Sequence, residues 1–213
     1  MDFLDPSIEQ YALEHSEQES KLLYDLNRQT HLNVLQPRML SGHMQGRMLS
    51  IFSKAINPQK ILEIGTYTGY SALCLAEGLA EKGEIYTIDK NKELEDIAIK
   101  YFNSSTYKDK IKMIVGDALE VIPDLKYNWD MVFIDADKEN YSAYFDLVID
   151  KVNKGGWIIA DNVLWSGKVL QPTAKNDLET AAIKAFNEKV NKDNRVTNLL
   201  VPVRDGMMVM IKN

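Results

Sequence analysis

Five short apolar runs recur along this chain with helical patterns between them, and that alternation leaves few folds open. The runs are residues 60–64, 84–88, 110–115, 130–134 and 157–160. Between the first two, Ala72, Leu73, Ala76, Leu79 and Ala80 keep helical spacing within 70–80. Leu94, Ile97, Ala98, Tyr101 and Phe102 repeat it after the second run, and 141–152 and 178–190 continue the alternation. Strands alternating with helices make a parallel sheet covered on both faces. The ending differs, because residues 196–203 and 207–211 flank Arg204-Asp205-Gly206. Asp-Gly between apolar runs is a hairpin signal, so the last strand is expected to run antiparallel to its neighbour. Residues 7–52 carry no strand pattern and read as helices interrupted by Pro37, with 36–46 as a connecting loop. The expected fold is α/β, one domain over 1–213. Its helical N-terminal extension is 1–56 and its α/β core 57–213.

Composition removes several classes of function. An apolar fraction of 45% with 26% charged residues is the balance of a globular protein. A net charge of −6 argues against general nucleic-acid binding, which needs a basic face. Cys74 is the sole cysteine, so no intrachain disulfide forms, and its apolar neighbours read as core. The start, Met1-Asp2-Phe3-Leu4-Asp5-Pro6, has neither a basic region nor an apolar one, so no secretory leader is expected. No stretch approaches the ~20 apolar residues that span a bilayer. The expected setting is cytoplasmic, without membrane or nucleic-acid partners.

Chemistry concentrates where the strands end, the edge at which open α/β sheets bind ligands. The first strand runs into Glu63-Ile64-Gly65-Thr66-Tyr67-Thr68-Gly69, a turn whose glycines let backbone approach a ligand. Tyr67 stands where the dinucleotide fingerprint would need glycine. Glu63 would also disfavour a phosphate. It would tolerate a cofactor carrying cationic groups, and S-adenosylmethionine has an ammonium and a sulfonium. Asp89 ends the second strand and can accept from ribose hydroxyls or cap a helix. Gly116, Asp117 and Ala118 follow the third strand, where they can meet an adenine edge or simply cap the next element.

Asp135, Asp161 and Asn162 follow the fourth and fifth strands and offer only oxygen ligands. Such donors suit Mg²⁺, Mn²⁺ or Ca²⁺, whereas zinc would draw histidine or cysteine. A vicinal diol can replace two waters on a bound Mg²⁺. Lys138 follows Asp135 by three positions. A neighbouring cation disfavours the ammonium form of a lysine, which suits it to act as a base. The alternative for Lys138 is a solvated lysine at a helix start, and for Asp161-Asn162 simple turn chemistry.

These segments carry a resemblance. EIGTYTGYSAL at 63–73, TID at 87–89, GDAL at 116–119, VFIDADKENY at 132–141, ADNVLWSGKV at 160–169 and LVPVRDG at 200–206 stand in the order found in the cation-dependent, S-adenosylmethionine-dependent O-methyltransferases of the caffeoyl-coenzyme A type. The chain resembles that family from about residue 39 onward, and catechol O-methyltransferase more distantly. The resemblance implies a Rossmann-like seven-stranded sheet and a homodimer. It assigns Glu63, Gly65, Ser71, Asp89, Ala118 and Asp135 to the cofactor, with Asp137 nearby and Met39 and Ser41 where a loop closes over its methionine end; Tyr67, Gly116 and Asp117 join the set from the turns read above. Asp135, Asp161 and Asn162 go to the metal, Lys138 to the base, and Trp165 and Asp205 to the acceptor pocket. The implied reaction methylates one hydroxyl of a catechol-like molecule. Two rivals remain at this point: a methyltransferase fold that only binds, and a nicotinamide-dependent oxidoreductase.

Overall fold

Each apolar run becomes a strand in the computed structural model, which describes residues 5–213. Met1 to Leu4, on which part of the leader reading falls, lie outside the described residues. Internal contacts divide the chain into two compact units, 5–117 and 118–213.

The first unit opens with α1 (Pro6–Glu14), α2 (Lys21–Asn33) and α3 (Gly42–Ile56). It continues with β1 (Lys60–Ile64), α4 (Tyr70–Ala76), β2 (Glu84–Asp89), α5 (Glu95–Ser104) and β3 (Ile111–Val115). β1 and β2 pair in parallel with Ile64 opposite Ile88, and β2 pairs with β3 with Asp89 opposite Val115. That register ends the three strands level, so the turns at Gly65, Asp89 and Gly116 leave from one edge.

The second unit holds α6 (Ala118–Asp124), β4 (Trp129–Ile134), α7 (Tyr141–Ile149), β5 (Val152–Ala160), α8 (Leu178–Lys192), β6 (Val196–Val201) and β7 (Met207–Lys212). Ile134 lies opposite Ala160 in the parallel β4–β5 pair, and Ala160 opposite Met208 in the antiparallel β5–β7 pair. Asp135, Asp161 and the turn before Met207 therefore emerge at the same level. The sheet has seven strands in the order β3-β2-β1-β4-β5-β7-β6, with β7 antiparallel to both its neighbours. Among the described residues no helix is long and apolar enough to cross a membrane.

Several expected boundaries move, each for a physical reason. Residues 42–46 are helical rather than part of a loop, because α3 packs on α4 and buries Gln45, Gly46 and Arg47. A β-carbon on Gly46 would come within 2.6 Å of Tyr70 and 2.7 Å of Cys74, so glycine's poor helix propensity is outweighed by close packing. α4 stops at Ala76 instead of residue 80, and Gly78 lies directly against the backbone of Ser53 and Lys54. β5 starts five positions before the expected run, at Val152, since Asn153-Lys154-Gly155-Gly156 hides a strand behind polar residues. The expected helix over 141–152 ends correspondingly at Ile149. α6 had no expected counterpart, and Pro202, with no N–H to pair, follows the end of β6.

α3 is tied to α4 by a buried ion pair. Arg47 Nη1 donates to Glu77 Oε2 at 2.9 Å, and Ser50 Oγ and Lys54 Nζ reach the same oxygen at 2.6 and 3.1 Å. Burial alone would raise the Glu77 carboxyl. The hydrogen bonds from Ser50, Arg47 and Lys54 outweigh it and hold the group below its ordinary value. A depressed carboxyl stabilises the fold above its unfolded value and loses that contribution as pH falls through the folded one. Glu77→Gln is expected to cost about 2 kcal/mol at neutral pH and to flatten the acid loss of stability below pH ~4.5. Urea midpoints at pH 6 and pH 3 check this, and equal acid slopes in both proteins would contradict it.

Candidate active site

In the first unit, the turn after β1 is organised around two carboxylates. Glu63 is fully buried, and its Oε2 accepts from Thr87 Oγ1 at 2.5 Å. Thr87 spends its proton there, so Thr66 Oγ1, 2.5 Å away, donates to it in turn. Asp89 receives two backbone amides, Tyr67 N–H at 2.7 Å and Asn91 N–H at 2.8 Å. Each of its oxygens keeps a second lone pair, and the residue is half-buried, so a diol can still reach it. Tyr67 has φ 50° between Gly65 at 104° and Gly69 at 90°, and its phenol donates to Gln36 O at 2.8 Å. That bond links the turn to the segment bearing Met39 and Ser41. Met39 is 57% exposed, whereas Ser41 is buried at the start of α3. Ser71 is buried in the first turn of α4. Gly116 N–H donates to Asp89 O at 2.9 Å, and Asp117 is exposed.

The second unit carries Ala118, buried at the start of α6, and a cluster around Lys138. Lys138 is only 6% exposed, and its ammonium donates to Asp135 Oδ1 at 3.0 Å, Tyr141 OH at 2.6 Å and Asn162 Oδ1 at 2.8 Å. All three N–H groups are used. Tyr141 is fully buried and donates its own proton to Asp161 O at 3.0 Å. Burial, then the neighbouring Asp135 and Asp161 carboxylates, push this phenol well above its ordinary value, so it stays neutral. Asp137 stands slightly apart, accepting from Tyr144 OH at 2.6 Å and from Asn140. Asp161 is buried and its N–H donates to Ile134 O at 3.0 Å.

The turn beyond β5 is strained. Asn162, Trp165 and Ser166 have φ of 58°, 49° and 51°, and non-glycine residues there cost about 1–3 kcal/mol each. Trp165 lies beside Lys138, whose Nζ is 5.8 Å from its ring centroid. Asp205 accepts from Ser166 N–H through Oδ1 at 2.5 Å, and Asn187 Nδ2 donates to Val163 O at 2.8 Å. Burial raises the Asp205 carboxyl, and the Ser166 amide partly opposes that.

The fit to a hard cation follows from this donor set. Asp135, Asp161 and Asn162 offer carboxylate and amide oxygens, and Asp135 and Asn162 already converge on a positive group, the ammonium of Lys138. Among the described residues no set of three or more His, Cys, Asp or Glu side chains is placed to hold a metal, so an ion here would depend on the amide. Sequence reasoning missed Thr66, Thr87, Tyr141 and Asn187. Thr66, Thr87 and Tyr141 sit inside the quoted motifs, whereas nothing local marks Asn187, which comes from the middle of α8. Tyr141→Phe is expected to lower stability by about 1–3 kcal/mol, because it leaves a buried ammonium and a buried carbonyl each short of a partner. Chemical denaturation checks this, and a change within about 0.5 kcal/mol, the usual range of neutral surface substitutions, would contradict it.

A family model described as O-methyltransferase matches residues 13–213. The chain is 32% identical over 211 residues to "Probable caffeoyl-CoA O-methyltransferase 2" of Dictyostelium discoideum, covering 97% of this chain and 91% of that protein. It is 32% identical to the caffeoyl-CoA O-methyltransferase of Stellaria longipes, over 94% of this chain and 88% of that one. The O-methyltransferase from Bacillus cereus, solved in complex with SAH, has a similar structure with a TM-score of 0.90, 29% identity and 97% coverage of each chain.

Proposed function

This chain belongs to the O-methyltransferase family, and on that premise we propose that it moves the methyl group of S-adenosylmethionine to one hydroxyl of a vicinal dihydroxy aromatic molecule, with a divalent cation required. The observation that carries the finer reading is the convergence of Asp135, Asn162 and Tyr141 oxygens on the buried Lys138 ammonium, with Asp161 alongside. SAH in the Bacillus cereus structure and the caffeoyl-CoA substrates named for the relatives support it. Membership of this family removes the nicotinamide alternative. The proposal includes a homodimer, which rests on the resemblance, acting in the cytoplasm as one methyltransferase domain, both of which are expectations from the sequence pattern.

Glu63, Gly65, Tyr67, Ser71, Asp89, Gly116 and Asp117, with Met39, Ser41, Ala118, Asp135 and Asp137, are proposed to hold the cofactor. Asp89 suits the ribose, because two amides fix its carboxylate while lone pairs remain. Asp135, Asp161 and Asn162 are proposed to hold Mg²⁺; Mn²⁺ and Ca²⁺ meet the same donors. When bound, the cofactor supplies an activated methyl on sulfur, and the cation supplies Lewis acidity toward a hydroxyl. Lys138, as its neutral amine, would take the proton that the attacking hydroxyl gives up, becoming the ammonium bonded to Asp135, Tyr141 and Asn162. Asp135, Tyr141 and Asn162 fix where its nitrogen stands, so orientation is set before the acceptor arrives. Holding reactants in this way contributes up to ~7–11 kcal/mol in well-aligned systems. Trp165, beside Lys138, is proposed to wall the aromatic ring, with Asp205 behind it.

Asp161→Ala is expected to lower activity by more than about 100-fold, beyond what loss of an outer-sphere partner costs. It is also expected to abolish the rise in melting temperature that Mg²⁺ gives the parent protein, while calorimetric binding of S-adenosylmethionine stays intact. Parent-like activity and an unchanged Mg²⁺ response would contradict the metal assignment.

A further inference from the structure

The turn that carries Trp165 has two backbone bonds of its own, Trp165 N–H to Asn162 O at 3.2 Å and Gly167 N–H to Leu164 O at 3.0 Å, and neither involves Ser166. Trp165, Ser166 and Gly167 are three consecutive left-handed residues, at φ 49°, 51° and 77°. A non-glycine residue stays in that region only where its surroundings over-determine it. The indole adds no hydrogen bond to this, because Trp165 Nε1 is buried without an acceptor among the described residues, although Lys138 and Lys168 Nζ lie 5.8 and 5.9 Å from its ring centroid. Ser166 is exposed.

The restraint comes from the β6–β7 turn. Leu164 N–H donates to Asp205 O at 2.9 Å, and Val163 N–H to Gly206 O at 3.1 Å. Ser166 N–H donates to Asp205 Oδ1 at 2.5 Å. The two turns are also in van der Waals register, since a β-carbon on Gly206 would stand 2.5 Å from Leu164 Cγ. Asp205 alone acts through both its backbone and its side chain. It grips one residue on each side of Trp165.

We propose that Asp205 is the latch that fixes Trp165 beside Lys138, a positioning residue for the acceptor rather than a group that binds it. Its consequence for methyl transfer rests on the acceptor pocket proposed above; its consequence for Trp165 does not. The carboxylate oxygen bonded to Ser166 acts as a hydrogen-bond acceptor, so an amide in its place keeps the latch while removing the charge. A role in binding the acceptor by charge would respond in the opposite way.

The test compares Asp205→Ala and Asp205→Asn in the full chain by acrylamide quenching of tryptophan fluorescence, with Trp165→Phe to assign the signal. Asp205→Ala is expected to increase quenching and shift emission to the red. Asp205→Asn is expected to restore most of the parent's protection, and the difference is expected to vanish in a Trp165→Phe background. In turnover, Asp205→Ala is expected to raise KM for a catechol acceptor about tenfold, the loss of one charged hydrogen bond, with the Kd for S-adenosylmethionine unchanged, and Asp205→Asn to recover most of it. Parent-like quenching in Asp205→Ala, or equal damage by both substitutions, would overturn the proposal. Should Asp205→Ala fail to fold, amide exchange in the parent decides: the Ser166 N–H is expected to be protected although the residue is exposed, and exchange at the unstructured rate would overturn the latch. A parent protein with no methyl-transfer activity would sink the acceptor reading and leave the quenching and exchange results to judge the latch alone.

Discussion

A lysine ammonium kept at 6% exposure has to find an acceptor for each of its three N–H groups, and the second unit is arranged around that requirement. Asp135 comes from the end of β4, Asn162 from beyond β5, and Tyr141 from the first turn of α7. The parallel register that sets Ile134 opposite Ala160 brings the first two to the same level. Tyr141 passes the constraint on, since the hydroxyl that accepts from Lys138 donates to the backbone of Asp161. One buried cation thus orders the carboxylate, amide and phenol oxygens that a methyl-transfer site would use.

The first unit solves a related problem with anions. Glu63 is fully buried and receives Thr87, itself backed by Thr66. Asp89 is pinned by backbone amides and not by a cation. The donors seen to orient these two carboxylates are hydroxyls and backbone amides. That suits a cofactor that brings its own positive charge, which is the argument Glu63 makes in the sequence. The strain stored at Tyr67 falls beside Asp89, which accepts from its N–H, where backbone is expected to be over-determined by its surroundings.

Strand and helix alternation, the closing hairpin and the acidic strand ends were legible because periodicity and turn chemistry are local. The start of β5 was not, because Asn153 to Gly156 do not look like a strand and lie where the β4–β5 register shifts between Trp129 and Met131. Nor was the first turn of α3, where close packing of Gly46 on Tyr70 and Cys74 overrides propensity. The site splits along the same line. Asp135, Lys138, Asp161 and Asn162 stand in motifs, as does Tyr141, which bonds two of them, but the partners that hold the turn beyond β5 come from elsewhere. Asn187 reaches Val163 across 24 positions, and Asp205 grips Ser166 across 39. Such partners are products of the fold, and no spacing in the chain announces them.

The central claim is metal-dependent methyl transfer to a catechol oxygen. Its most direct test is transfer of labelled methyl from S-adenosylmethionine to caffeic acid and simple catechols, with Mg²⁺ and with EDTA. The account predicts methylated product with Mg²⁺, none with EDTA, and recovery when Mg²⁺ is restored in excess. Undiminished product in EDTA would contradict the metal requirement, and no product in Mg²⁺ while the cofactor binds by calorimetry would contradict the acceptor.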